Sequence, residues 1–204
     1  MSPPWRWLWT DGGERMDKGL LEAKERAVEL LTGCFRRGNK LLLCGNGGSA
    51  ADCGHIAGEL IKGFLLRRPL PEEIRQALPA DARLQRGLPA IDLCAQGAAI
   101  SAIVNDLGGE SIYAQQVLAF GRPGDVLLGI STSGNAKNVC LALQTAKALG
   151  LETLGLTGRS GGRMRPLCDC LLCAEADETF RVQEEHIRLY HELCAKVEAR
   201  LFEE

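Results

Sequence analysis

Two of the three histidines in this 204-residue chain stand where they could share a proton or a cation with a carboxylate. His55 and Glu59 are four residues apart in "CGHIAGEL", so on a helix they occupy one face. Gln183 and His191 are eight apart in "RVQEEHIRLYH". At about 100° per residue they are roughly 80° from facing the same way, and they can still converge on one pocket. A base and an acid held together can move a proton between neighbouring carbons, and a metal can supply the electrophile instead. Two imidazoles and a carboxylate suit zinc, although glutamine is a weak ligand and no H-E-x-x-H pattern occurs. The bland alternative is a buried histidine satisfied by a carbonyl and a solvated helix charge. His186, five residues before His191, falls on another side of its helix and reads as structural or as a subunit contact.

A ligand for such chemistry needs an anchor, and three turns built from glycine and hydroxyl residues offer one. They are "GNGGS" (45–49), "STSGN" (131–135) and "TGRSGG" (157–162), each directly after a short apolar run. Glycine lets backbone approach a ligand, the start of the next helix offers unpaired N–H groups to an anion, and Ser and Thr add donors without charge. Phosphate is the natural ligand. Neither the dinucleotide fingerprint G-x-G-x-x-G nor the nucleotide loop G-x-x-x-x-G-K-[ST] is present, so a nucleotide is not implied.

The elements that must position these residues are legible as alternating runs. "KLLLC" (40–44), "PAIDLC" (89–94), "DVLLGI" (125–130), "ETLGLT" (152–157) and "DCLLCA" (169–174) are short and continuously apolar, as strands covered on both faces are. Helical patterns fill the gaps, beginning with an amphipathic stretch from Asp17 to about Arg37 carried by Leu20, Ala23, Ala27, Leu30 and Leu31. The expected fold is α/β, a three-layer α/β/α sandwich around a five-stranded parallel sheet with an N-terminal helix added. In such sheets ligands bind beyond the carboxyl ends of the strands, where strand order reverses, so the motifs should fall just after strands, as the three turns do.

Composition narrows the function classes. With 24 basic and 26 acidic side chains there is no charge excess to hold nucleic acid or an anionic membrane, and no apolar run is long enough for a membrane span. The nine cysteines are scattered through apolar runs and no secretory signal is evident, so a reduced, cytoplasmic protein is expected. The tightest group, Cys168, Cys170 and Cys173, lacks a fourth metal ligand and reads as buried strand cysteines. Residues 1–16 hold all three tryptophans and read as an appended, flexible extension, with residues 17–204 forming a single domain.

Taken in order, "CGNGGSAAD" (44–52), "HIAGEL" (55–60), "ND" (105–106), "GDVLLGISTSGN" (124–135), "LTGRSGG" (156–162) and "RVQEEHIRLYH" (181–191) resemble the sugar isomerase (SIS) domain family, and within it the sedoheptulose-7-phosphate isomerases. The resemblance covers about residue 17 to the C-terminus and implies a flavodoxin-like fold. It implies that Asn46, Gly47, Gly48, Ser49, Ser131, Thr132, Ser133 and Asn135 line the phosphate end of the site, with Asn105, Asp106 and Gln183 also binding substrate. It implies Glu59 as general base, His191 as general acid, and zinc held by His55, Glu59, Gln183 and His191. It also implies a homotetramer with active sites at subunit contacts, acting on a small phosphorylated sugar with no direct nucleic-acid partner.

Departures from the pattern bear on substrate identity. Ala136 replaces a usual serine, Gly63 a usual arginine for which Lys62, Arg67 or Arg68 could compensate, and Phe180 an aspartate. The segment 62–89 is longer than in the family and reads as an exposed excursion with a short helix around Glu72 to Leu78, a solvated arm or a lid. The competing functional reading is a non-catalytic SIS protein that binds the replication initiator DnaA or senses a phosphosugar. The typical initiator-binding member has lost the last histidine of the helix motif, and this chain retains His191.

Overall fold

The computed structural model describes residues 18–203; the expected extension over residues 1–16 lies outside them. The elements run α1 (Lys18–Arg36), β1 (Leu41–Gly45), α2 (Gly48–Ile61), α3 (Glu72–Ala77), β2 (Ala90–Asp92), α4 (Gly97–Leu107), α5 (Ile112–Phe120), β3 (Val126–Ser131), α6 (Lys137–Ala148), β4 (Glu152–Thr157), β5 (Cys170–Cys173) and α7 (Thr179–Phe202). The five expected strands are all present and all parallel, in the order β2-β1-β3-β4-β5. That is the flavodoxin-like order, and its direction reverses between β1 and β3.

Alternation along the strands sorts the core into two layers. Leu41, Leu43, Leu128, Ile130, Leu154 and Leu156 pack under α1, α2 and α7. Leu42, Cys44 and Leu127 face the other way, onto Tyr113 and Val117 of α5 and Val139, Cys140 and Leu143 of α6. Because the central strands β1, β3 and β4 are covered on both faces, their sequences show near-continuous apolar runs, whereas the edge strands β2 and β5 are buried only in part.

Helices α2 and α7 lie side by side in the same direction. Gln183 meets Gly48, His191 meets His55, and Glu198 meets the chain just past the end of α2. The near-constant offset in residue number brings each motif of α7 to its partner on α2.

The segment 62–89 is an exposed excursion with an anchored root. Helix α3 buries no residue. The root closes through Leu88 N–H to the Leu60 carbonyl (2.9 Å) and Arg86 N–H to the Arg68 carbonyl (3.0 Å). Arg68 and Glu198 form a salt bridge of 2.7 Å with both side chains fully buried. Glu198 also accepts from the backbone N–H groups of Phe64, Leu65 and Leu66, and Arg68 donates to the Leu60 and Glu59 carbonyls. This clamp seats the start of the arm against α7.

Candidate active site

The switch point between β1 and β3 brings two of the three turns together. Gly47, with φ of 58°, takes the left-handed conformation that glycine permits and lets the chain turn from β1 into α2. The turn after β3 closes through Gly134 N–H to the Ser131 carbonyl and is braced by Asn135, whose side chain donates to the Ser133 carbonyl and accepts the Arg163 N–H. Asn46 and Asn138 tie the two turns with a reciprocal pair of amide hydrogen bonds, both 2.9 Å. Neither α2, which starts after Gly47, nor α6, which starts after Ala136, has a side-chain cap. Two helix starts lacking side-chain caps therefore stand side by side, each with backbone donors and a positive dipole end for an anion. Ala136 contributes to that openness, because it has no hydroxyl to fold back on the helix.

The third turn has a different task. A Cβ on Gly134 would come within 2.2 Å of the Gly161 carbonyl oxygen, so the 157–162 segment is the floor on which the 131–135 turn rests. Below it His186 is fully buried, with Nε2 3.2 Å from the Thr157 carbonyl oxygen. Burial holds its pKa below the ordinary histidine value. His186 is structural, one of the two readings its helix position allowed.

Behind the phosphate turns, α2 and α7 build the titratable group. His55 Nε2 lies 3.4 Å from Glu59 Oε1 and 3.3 Å from His191 Nε2. Glu59 Oε2 pairs with Lys62 Nζ at 2.8 Å, and the Phe64 ring stacks on His191 with centroids 5.5 Å apart. Burial lowers the His191 pKa, with a further lowering from His55 and a partial offset by Glu59. On the far side of His55, Tyr190 Oη is 2.9 Å from Nδ1 and 3.4 Å from Asp52 Oδ1. A relay in which His55 Nδ1–H donates to Tyr190 and Tyr190 O–H donates to Asp52 leaves the His55 Nε2 lone pair facing Glu59 and His191. Burial raises the Asp52 pKa, and its Oδ2 has no hydrogen-bond partner.

The donor set fits a zinc ion in type: two imidazoles, one oriented by a hydroxyl, and a carboxylate. Two Nε2 atoms in contact need either a shared proton or a cation between them, and a metal is one way to meet that need. Gln183 meets the start of α2 at Gly48, two turns before His55. A Cβ on Gly48 would lie 2.3 Å from Gln183 Nε2, so the missing side chain is what admits the amide.

Other expected site residues are placed differently. Asn105 and Asp106 are exposed near the end of α4, where the Asn105 side chain donates to Asp106 at 2.7 Å. Ser49 and Ser131 are buried, and Thr132 is half-buried. Of the cations that could compensate for Gly63, Arg68 is committed to Glu198 and Lys62 reaches Glu59. Any larger residue at 63 is disfavoured, since a Cβ there would come within 2.3 Å of the Leu66 carbonyl oxygen. Phe180 is exposed at the start of α7, with the Arg181 guanidinium over its ring.

Sequence reading missed Asp52, Phe64, Asn138 and Tyr190. A signal existed for Asp52, which lies at i and i+3 from His55 on the helix face shared with Glu59. The others reach the site through tertiary contacts.

A parallel sheet with two helix starts lacking side-chain caps at its switch point, and an imidazole–carboxylate group behind them, defines an α/β protein built for a small anionic ligand. Residues 13–158 match the SIS domain family. Over 197 residues, 95% of this chain and 86% of the relative, the chain is 41% identical to the phosphoheptose isomerase of Nitratidesulfovibrio vulgaris. It is 46% identical over 185 residues to that of a Roseiflexus species, covering 91% of this chain and 83% of the relative. A solved phosphoheptose isomerase from Neisseria gonorrhoeae superposes with a TM-score of 0.75 at 37% identity, covering 88% of this chain and 87% of the other. The chain belongs to the SIS-domain family, on its phosphoheptose isomerase branch.

Proposed function

We propose that this protein isomerises sedoheptulose 7-phosphate to D-glycero-D-manno-heptose 7-phosphate through an enediol. The observation that carries this reading is the placement of His55 in contact with both Glu59 and His191, on the helix that starts at the first of the two joined phosphate turns. Asn46, Gly47, Gly48, Ser49, Ser131, Thr132, Ser133 and Asn135 hold the phosphate. Gln183, Asn105 and Asp106 bind the sugar. Glu59 takes the proton from C1 while His191 gives one to the C2 carbonyl oxygen, forming the enediol. Return of the carbon-bound proton to C2 and loss of the proton on the C1 hydroxyl complete the aldose. Lys62, paired with Glu59 and largely exposed, holds that carboxylate in place and offers a cation at the pocket mouth. Zinc bound by His55, Glu59, Gln183 and His191 would polarise the substrate oxygens.

The active form is a homotetramer with sites at subunit contacts. Helix α4, "GAAISAIVNDL", is rich in small and branched apolar residues yet buries none, and Val104 and Leu107 are about half exposed, at 48% and 55%. An apolar helix left uncovered in one chain is a surface for another copy, which would cover Asn105 and Asp106 as well. Residues 17–204 work as one domain. Nine free thiols support a reducing compartment, the cytoplasm, and no helix among the described residues is long and apolar enough to cross a membrane. The initiator-binding alternative does not account for His191 being seated on His55.

Proton NMR of the purified protein with sedoheptulose 7-phosphate in D2O tests the reading. The expected result is an aldoheptose 7-phosphate carrying deuterium at C2. No product, with or without added zinc, sinks it.

A further inference from the structure

All nine cysteines are free, and those closest in sequence are not the ones that meet. On β5, Cys170 and Cys173 are three residues apart and point to opposite faces of the sheet. Cys170 donates to the Ala23 carbonyl on α1, whereas Cys173 Sγ lies 3.5 Å from Thr157 Oγ1. The convergent pair is Cys53 on α2 and Cys94 in the short turn of 3-10 helix after β2. With Asp92 they form the one group of three His, Cys, Asp or Glu side chains, among the described residues, whose ligating atoms all lie within 4.8 Å of one another.

We propose that Cys53, Cys94 and Asp92 form a second metal site, separate from the histidine group, that takes a zinc-class divalent cation through two thiolates and one carboxylate. The donor set is right for such an ion, with sulfur, sulfur and oxygen from two different elements and a fourth position left for water. The ligands are already oriented. Asp92 Oδ1 accepts the Cys94 N–H at 2.8 Å, which fixes the carboxylate over its own turn. Its Oδ2 faces α2 at Gly54, 3.4 Å from where a Cβ would stand, so the absent side chain leaves the carboxylate room beside Cys53. Cys94 Sγ donates to the Gly45 carbonyl at 3.3 Å, under the first phosphate turn. Cys53 and Cys94 share a hydrogen bond that lowers the Cys94 thiol's pKa and, together with burial, raises that of Cys53, so the pair is poised to give up one proton more readily than the other.

The site and the histidine group lie on different faces of one helix. Cys53 and His55 are two residues apart, about 200° around α2, so the cysteine faces the sheet and β2 while the histidine faces α7. A cation bound there ties α2 to the β2 turn behind Gly45 and releases the two thiol protons on binding.

The test titrates the reduced, metal-stripped full-length chain with Cd2+ and follows the sulfur-to-cadmium charge-transfer absorption. One equivalent should generate the band in the unaltered protein and equally in His191→Ala. Cys53→Ser and Cys94→Ser should each lose it, and Asp92→Asn should weaken binding by about tenfold or more. With the histidine group disabled by His191→Ala, Zn2+ should raise the thermal midpoint and should no longer do so when Cys94→Ser is added; the Cys94 side chain is only half-buried, so a failure of Cys53→Ser to fold leaves the question decidable. No band, or a band that survives Cys94→Ser, overturns the proposal. So does a purified chain lighter by two hydrogens, the mark of a Cys53–Cys94 disulfide, that binds no Cd2+ even after reduction.

Discussion

Replacing Glu198 with glutamine keeps the shape of the side chain and removes its charge, which isolates what the buried clamp contributes. Both Glu198 and Arg68 are fully buried. Glu198 Oε1 accepts from Phe64 N–H (2.8 Å) and Arg68 Nε (2.7 Å), and Oε2 from Leu65 N–H (2.7 Å) and Leu66 N–H (2.9 Å). A glutamine can offer its oxygen to one of these donor pairs only, and its own NH2 then faces the other. The guanidinium is left in the core without a countercharge, a situation that costs about 3–5 kcal/mol. For a chain of this size, about 2–4 °C accompanies each kcal/mol, so a thermal midpoint roughly 6–20 °C lower is expected by circular dichroism. The double variant Glu198→Gln with Arg68→Met should be more stable than Glu198→Gln alone, because removing both charges leaves neither uncompensated. The fraction still folded should also lose activity, since the arm that Glu198 seats carries Lys62 to Glu59 and Phe64 to His191. A loss below about 1 kcal/mol, the range of exposed ion pairs, would refute the reasoning by showing that water reaches the clamp.

Three other outcomes follow from the same geometry. Glu59→Gln should lower kcat by about 10²- to 10⁴-fold in an NMR or coupled aldoheptose assay with an unchanged unfolding midpoint; near-normal turnover would remove Glu59 as the base. Gly48→Ala should raise KM as the new methyl displaces the Gln183 amide, while stability changes little, because Gly48 is the first residue of α2 and the methyl meets only the far end of a flexible side chain; an unchanged KM would mean that Gln183 does not touch substrate. His186→Gln keeps a donor for the Thr157 carbonyl and removes the titration. The lowered pKa of His186 means that the folded state binds fewer protons there than the unfolded chain. Its contribution is thus full above the ordinary value of about 6.5 and is lost as pH falls through the depressed one. Urea midpoints between neutral and mildly acidic pH should fall less in the variant than in the parent, and parallel curves would contradict the assignment.

Much of the molecule was legible because its signals are local. Five continuous apolar runs became five strands, most shifted by a residue or two, since cover on both faces leaves such a run in the central strands and the half-covered edges keep enough of it to be read. His55 and Glu59 were placed on one helix face by spacing alone, and the glycine-hydroxyl turns were recognisable from their composition.

Tertiary structure decided which of these features meet. Nothing local says that β1 lies between β2 and β3, yet that order is what joins Asn46 to Asn138 across 92 positions of sequence. The parallel packing of α2 and α7 puts Tyr190 and His191 on His55, and the same register carries Glu198 to Arg68. Strand alternation separates Cys170 from Cys173, while chain crossing unites Cys53 with Cys94. The sequence by itself determined the elements, because periodicity and turn chemistry are written within a few residues. Only the fold decided the partnerships, because a contact between distant residues depends on how helices and strands stack, and that packing leaves no mark on either partner alone.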